Sequence, residues 1–226
     1  MFNSLELTGR SSTHVREVPE LNCTLHGAAV QAALEMREAA RASGIELAIV
    51  SSFRDFDRQL AIWNAKFSGE RPLLDRAGRA LKHAELSASA LVDAILIWSA
   101  LPGASRHHWG TDMDVIDRAA VSADYRAQLV PSEYEGSGPF AKLSAWLAQH
   151  MASFGFFRPY ITDRGGVQPE PWHLSFAPVA QAALAGLTPE VLRSALATSG
   201  LYGRETVLER LPQIHARYVT AIDPPP

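Results

Sequence analysis

Cysteine is nearly absent: Cys23 stands alone in 226 residues. An intramolecular disulfide framework is therefore excluded, and so is every thiolate-rich zinc site. Long apolar runs are missing too. The most apolar stretch, Ala90 to Ala104, is interrupted by Asp93 and Pro102 and is too short to cross a bilayer. It reads instead as a buried helix. Neither charge sign dominates, since 21 Lys and Arg face 24 Asp and Glu, and the net charge of −3 leaves no electrostatic footprint for nucleic acid. Met1 to Arg10 lacks a basic region followed by an apolar run, so no secretory signal is visible. As read, the chain is cytoplasmic; a removed leader or a non-standard export route would place it in the periplasm or cell wall. No repeat period, phosphate-binding glycine loop or Gly-x-Ser-x-Gly occurs. Solenoids are thereby excluded, and nucleotide enzymes and serine hydrolases are disfavoured.

What is present fits one soluble domain spanning 1–226, long enough to bury a core without staples. Ala28 to Arg41 reads as a helix with Gly44 just past its end. Ile45 to Val50 reads as a short buried strand. Asp55 is placed to cap a helix whose apolar face is Phe56, Leu60, Trp63 and Phe67. A further helix is expected over Ala84–Ser99. Met113 and Val115 alternate with Asp112 and Asp114, which predicts a strand. Residues 131–139, with two prolines and two glycines, read as a loop. Phe140, Leu143, Leu147, Met151 and Phe154 predict an amphipathic helix stopped by Gly155. Thr188-Pro189 opens another helix. A last one, about Glu205–Val219, is interrupted by Pro212, and Asp223 to Pro226 reads as a frayed tail. Short strands between helices, without a βαβ rhythm, favour an α+β fold.

Chemistry-bearing residues concentrate in three segments: Ser51–Gln59, Ser105–Asp117 and Glu170–His173. The second and third offer imidazoles and carboxylates but no thiolate. Catalytic zinc needs three nitrogen or oxygen ligands and an open position for water, and His107, Asp114 and His173 fill the ligand roles. Glu170 is then a spare carboxylate able to take a proton from that water and pass it to a leaving amine. Taken singly, each segment has a plain structural reading: His107-His108 as a surface or core pair, Asp114 as a strand-end residue. On a strand, Asp112 shares a face with Asp114. It is expected to face solvent or to stand behind the ligands rather than bind metal. His108 faces away from His107 and is left out of the metal set. Glu170 and His173, three apart, would face opposite ways on a flat strand, so a kink at Pro171 is required. Asp112, Asp114 and Asp117 lack the glycine and terminal glutamate of a calcium loop. His14, His26, His83, His150 and His215 have no companion motif, and Cys23 reads as an inert thiol.

Ser105, His107, Gly110 and Asp114, followed by Glu170, Trp172 and His173, resemble the paired motifs of the zinc D,D-carboxypeptidase family. That family includes the vancomycin-resistance-type D-alanyl-D-alanine peptidases and the phage L-alanyl-D-glutamate endopeptidases. Ser51-Ser52-Phe53-Arg54 with Gln59 resembles its upstream arginine segment. Asp112 departs from the family, which commonly has a small residue there. The resemblance implies Zn2+ on His107, Asp114 and His173, with Glu170 as general base and acid. It implies that Arg54 holds the reacting carbonyl or a substrate carboxylate, and that Ser105 and Gln59 contact substrate. It implies a hedgehog- or D,D-peptidase-like fold, a small antiparallel sheet flanked by helices. The core would run over about 26–178, with a helical C-terminal extension over about 179–222. The implied partner is a peptidoglycan stem peptide or muropeptide, cut at D-alanyl-D-alanine or, alternatively, inside the stem. A third reading is a zinc-holding binding module on the same fold with catalysis lost.

Overall fold

The computed structural model describes residues 2–226. Among the described residues, two antiparallel sheets and ten α-helices form an α+β architecture. α1 (Ser4–Leu7) leads into a hairpin of β1 (Val15–Val18) and β2 (Cys23–His26). α2 (Val30–Ala42) follows and presents Val30, Ala33, Met36 and Ala40 to the core. It ends where Gly44 adopts a positive φ of 69° and donates back to the Arg41 carbonyl. β3 (Leu47–Ser51) then enters the main sheet. α3 (Phe56–Phe67) is capped as expected, with Asp55 accepting from the Arg58 amide.

α4 (Ala88–Trp98) starts later than the pattern predicts, because Ser87 caps it and His83–Glu85 forms a separate 3-10 turn. β4 (Asp112–Asp117) is followed by α5 (Pro131–Tyr134). This single turn of helix lies inside the expected loop and is opened by its own proline. α6 (Ala141–His150) runs into a 3-10 turn over Met151–Phe154 and stops at Gly155. β5 (Phe156–Phe157) and β6 (His173–Phe176) complete the sheet, in order β3-β4-β6-β5, all antiparallel. α7 (Ala177–Gly186), α8 (Pro189–Ala197), α9 (Arg204–Glu209) and α10 (Leu211–Ile214) close the chain. Pro212 sits in the first turn of α10, so the helical break falls just before it, at Arg210.

The main sheet divides the side chains by strand period. Met113, Val115 and Leu174 point into an apolar cluster with α2 and α6. Asp112, Asp114, His173 and Ser175 lie on the opposite face. A second cluster joins α3 and α4 to α7–α10, with Trp63, Ile95, Leu192 and Leu211 at its centre. The residues after 178 therefore share one core with the helices that follow β3. Half-buried Cys23 lies in β2, and burial pushes its thiol up to about 11, in keeping with an inert thiol.

The tail is a correction. Asp223 is buried, and its carboxylate accepts from the Ile161 amide (3.0 Å), the Thr162 amide (2.7 Å) and Arg164 Nε (2.8 Å). Its own amide donates to the Pro159 carbonyl. Charged acceptors of this kind hold a chain end that composition alone reads as frayed. Asp223→Ala is expected to lower stability by about 1–3 kcal/mol, measured as a shifted urea midpoint at unchanged slope. An unchanged midpoint would show the tail to be idle.

Candidate metal and catalytic site

The register of β4 and β6 builds the centre of the site. Asp114 pairs directly with His173, and Asp112 with Ser175, so four polar side chains stand side by side on one face. On the other edge of β4, a bulge after Ile49 sets Ser51 opposite Asp114. The bulge lets the chain leave β3 and deliver Ser52 and Arg54 to the same face. His107 comes from a 3-10 turn, Arg106–Trp109, which Gly110 closes at φ 66°. A Cβ at Gly110 would lie 2.4 Å from Val15 Cγ1 and 2.7 Å from the His26 amide nitrogen. Only glycine allows β1 and β2 to pack so closely against this turn.

His107, Asp114 and His173 are all buried and offer ligand atoms within 4.8 Å of one another. Their hydrogen bonds fix which atoms are free. His107 Nδ1 lies 2.9 Å from the Ser52 carbonyl, so it donates there and Nε2 keeps its lone pair, 3.4 Å from Asp114 Oδ2. His173 Nε2 donates to Asp112 Oδ1 (3.0 Å), leaving the Nδ1 lone pair 3.1 Å from Asp114 Oδ1. Asp114 Oδ1 has no hydrogen-bond partner although it is buried. Lone pairs from two imidazoles and a carboxylate thus converge, which is the donor set of a divalent cation. Burial alone would push His173 down, yet the Asp112 and Asp114 carboxylates beside it raise it to about 10. The residues fit a zinc ion.

Behind the ligands stands Asp112, fully buried. Its Oδ1 accepts from His173 and from Arg106 Nε (2.8 Å), and its Oδ2 from Thr111 Oγ1 (2.5 Å) and Ser175 Oγ (3.1 Å). It holds the His173 ring from behind, on the face that the strand pattern gives it. His108 is spent on structure. Its Nδ1 donates to the Arg54 carbonyl (2.6 Å) and its Nε2 accepts from the Gly103 amide (3.1 Å). Burial pushes it down to about 3, so it stays neutral.

Glu170 is placed by a tight turn rather than by the strand. The His173 amide donates to the Glu170 carbonyl, and the Glu170 amide donates to the Tyr160 carbonyl. The turn at Pro171 is the expected kink, and it brings Glu170 Oε2 to 3.5 Å from His173 Nδ1. Trp172 points the other way, into the core beside Tyr134. Burial, with Asp114 adding, pushes the Glu170 carboxyl up to about 7. Arg54 lies across the site. Its Nη1 donates to Gln59 Oε1 (2.7 Å), its Nη2 to Ser51 Oγ (2.9 Å), and its backbone amide to the His107 carbonyl (3.2 Å). The other end of the Gln59 amide donates to the Ala100 carbonyl (2.7 Å). Ser105 is buried at the start of the 3-10 turn and makes no side-chain capping bond.

Several contributors carry no sequence signal of their own. The Ser52 carbonyl orients His107 through backbone alone. Tyr160 sets its ring edge-on to His173, 5.2 Å between centroids. The N-terminal segment braces the motif turn, with Trp109 Nε1 donating to the Leu7 carbonyl and His14 Nε2 lying 2.8 Å from the His108 carbonyl.

The chain is similar to several known proteins. It is 36% identical over 121 residues to an uncharacterized Haemophilus influenzae protein, covering 53% of this chain and 92% of that one. It is 26% identical over 145 residues to a D-alanyl-D-alanine carboxypeptidase of Enterococcus faecalis, covering 63% and 44% respectively. Among solved structures, a vancomycin-resistance D,D-pentapeptidase VanY mutant in complex with Zn(II) matches with TM-score 0.53 at 21% identity, over 87% of this chain and 90% of that one. VanYB in complex with D-alanine-D-alanine matches with TM-score 0.53 at 22% identity, over 84% and 91%. The LdcB LD-carboxypeptidase matches with TM-score 0.52 at 21% identity, over 88% and 78%. These structures share the fold. The family profile of VanY, D-alanyl-D-alanine carboxypeptidase, matches residues 22–179, and the chain belongs to that family.

Proposed function

We propose that this protein is a zinc-dependent peptidase of the D,D-carboxypeptidase type that releases terminal D-alanine from peptidoglycan stem peptides. The observation that carries the reading is the convergence of unpaired lone pairs from His107, Asp114 and His173, with the Glu170 carboxylate beside them. Family membership supports the choice of substrate class. Zinc bound there would polarise the scissile carbonyl and activate water at neutral pH. Glu170 takes the proton from the attacking water and returns it to the leaving amine. The Arg54 guanidinium, held by Gln59 and Ser51, donates to the oxygen on which charge develops. Gln59, whose amide is committed at both ends, aims Arg54 rather than touching substrate. Ser105 is the remaining substrate contact.

The test is cleavage of a pentapeptide ending in D-alanyl-D-alanine, followed by mass spectrometry. The expected result is release of one D-alanine, abolished by 1,10-phenanthroline and restored by added zinc. Release that survives the chelator would contradict the metal's role. A product cut inside the stem would replace carboxypeptidase with endopeptidase action. No cleavage by protein that holds zinc would leave the binding module.

A further inference from the structure

Lys66 has no task in the machinery described above. It lies seven residues after Gln59 on α3, two turns along the same face and about 10 Å along the helix axis. Both side chains reach the short stretch that follows α4. Gln59 donates to the Ala100 carbonyl, and Lys66 Nζ donates to Ser99 Oγ at 2.6 Å. The segment leading to Glu170 is tied to the last turn of α4 itself, because the Gln168 amide donates to the Ile97 carbonyl at 3.0 Å. Arg54, Lys66 and Glu170 are thereby gathered around the end of α4.

The Lys66 ammonium is half-buried, and no carboxylate lies within 4.0 Å of it among the described residues. Ser99 engages one of its three N–H groups. Burial, with Arg71 as a neighbouring like charge, pushes Lys66 below its ordinary value, and the Glu170 carboxylate offsets this only in part. The contrast with Arg106 is instructive. That buried cation has Asp112 at 2.8 Å as its resident counter-ion. A cation drawn out of water without such a partner is costly unless an anion joins it. Here the unengaged donors lie near enough for the Glu170 carboxylate to act on the ammonium through space.

We propose that Lys66 is a specificity residue that receives a carboxylate of the substrate, displaced along α3 from the bond being cut. The inference rests on the peptidase reading and extends it: the preferred substrate is an acid, either through its terminal carboxylate or through an acidic side chain of the stem. A point charge with free donors, one tethered to a serine, suits a carboxylate that must enter and leave.

The experiment compares four stem pentapeptides with the zinc-loaded protein. Terminal carboxylate and side-chain carboxylate are each present as acid or as amide. Wild-type protein is expected to lose roughly 10- to 100-fold in kcat/KM when one of the two is amidated, through KM. Lys66→Met is expected to raise KM for the acid by a similar factor with kcat within about twofold, and to abolish the acid-over-amide preference. Lys66→Arg is expected to restore most of that preference. The carboxylate whose amidation matters identifies the source. Indifference to both amidations would overturn the inference alone, as would a Lys66→Met defect equal on acid and amide. Cleavage of none of the peptides would overturn the peptidase reading and this inference with it.

Discussion

Glutamine in place of Glu170 is expected to lower kcat by roughly 10²- to 10⁴-fold while zinc stays bound. The substitution keeps the shape of the side chain and removes its capacity to hold a proton. The backbone that positions residue 170 is unaffected, since its amide is fixed on the Tyr160 carbonyl and its carbonyl on the His173 amide. His107, Asp114 and His173 are untouched. Steady-state kinetics and elemental analysis on the same preparation check both halves. A variant that lost zinc in parallel with activity would make Glu170 a ligand rather than a base. A variant that kept full activity would remove it from the chemistry.

Asn in place of Asp112 is expected to weaken zinc binding by roughly 10- to 100-fold, although residue 112 is not a ligand. The carboxylate fixes the His173 tautomer by accepting from Nε2, and so leaves Nδ1 free. An amide in its place must present either an oxygen to His173 or an N–H that clashes with it. It also strips the Arg106 guanidinium of its counter-ion at 3% exposure. Breaking a buried pair in this way costs about 3–5 kcal/mol, so the variant should also unfold at lower urea. Competition against a chromophoric chelator gives the affinity, and a urea melt of the metal-free protein gives the stability. Unchanged zinc affinity would show that His173 needs no support from behind.

The strand over 112–117 could be read from sequence because alternation puts Asp112 and Asp114 on one face whatever the partner strand. The placement of His173 opposite Asp114 could not, since register is set by pairing between residues far apart in the chain. The His107–Asp114–His173 set was nonetheless legible through the order of its motifs. Its supports were less so. The Ser52 carbonyl is a backbone atom, which no side-chain pattern reveals. Tyr160 lies in a connection without periodicity. The sequence pattern sets His108 apart from His107, but only the fold shows what its two nitrogens do instead, on the Arg54 carbonyl and the Gly103 amide. Gln59 matched a motif, and folding puts its amide oxygen on Arg54 and one of its N–H groups on the Ala100 carbonyl. Pro224 to Pro226 suggested a loose end, whereas one carboxylate, Asp223, holds the tail by three donors. In each case the sequence displayed the residue type, and folding determined which of its atoms remained free.

The central claim is that one divalent ion sits between His107, Asp114 and His173. Anomalous diffraction at the zinc edge from crystals of the zinc-loaded protein tests it most directly. The prediction is a single strong peak about 2 Å from His107 Nε2, an Asp114 oxygen and His173 Nδ1, with Asp112 still bonded to His173 Nε2. A peak bound through Asp112 or His108, or none among these three residues, would contradict it.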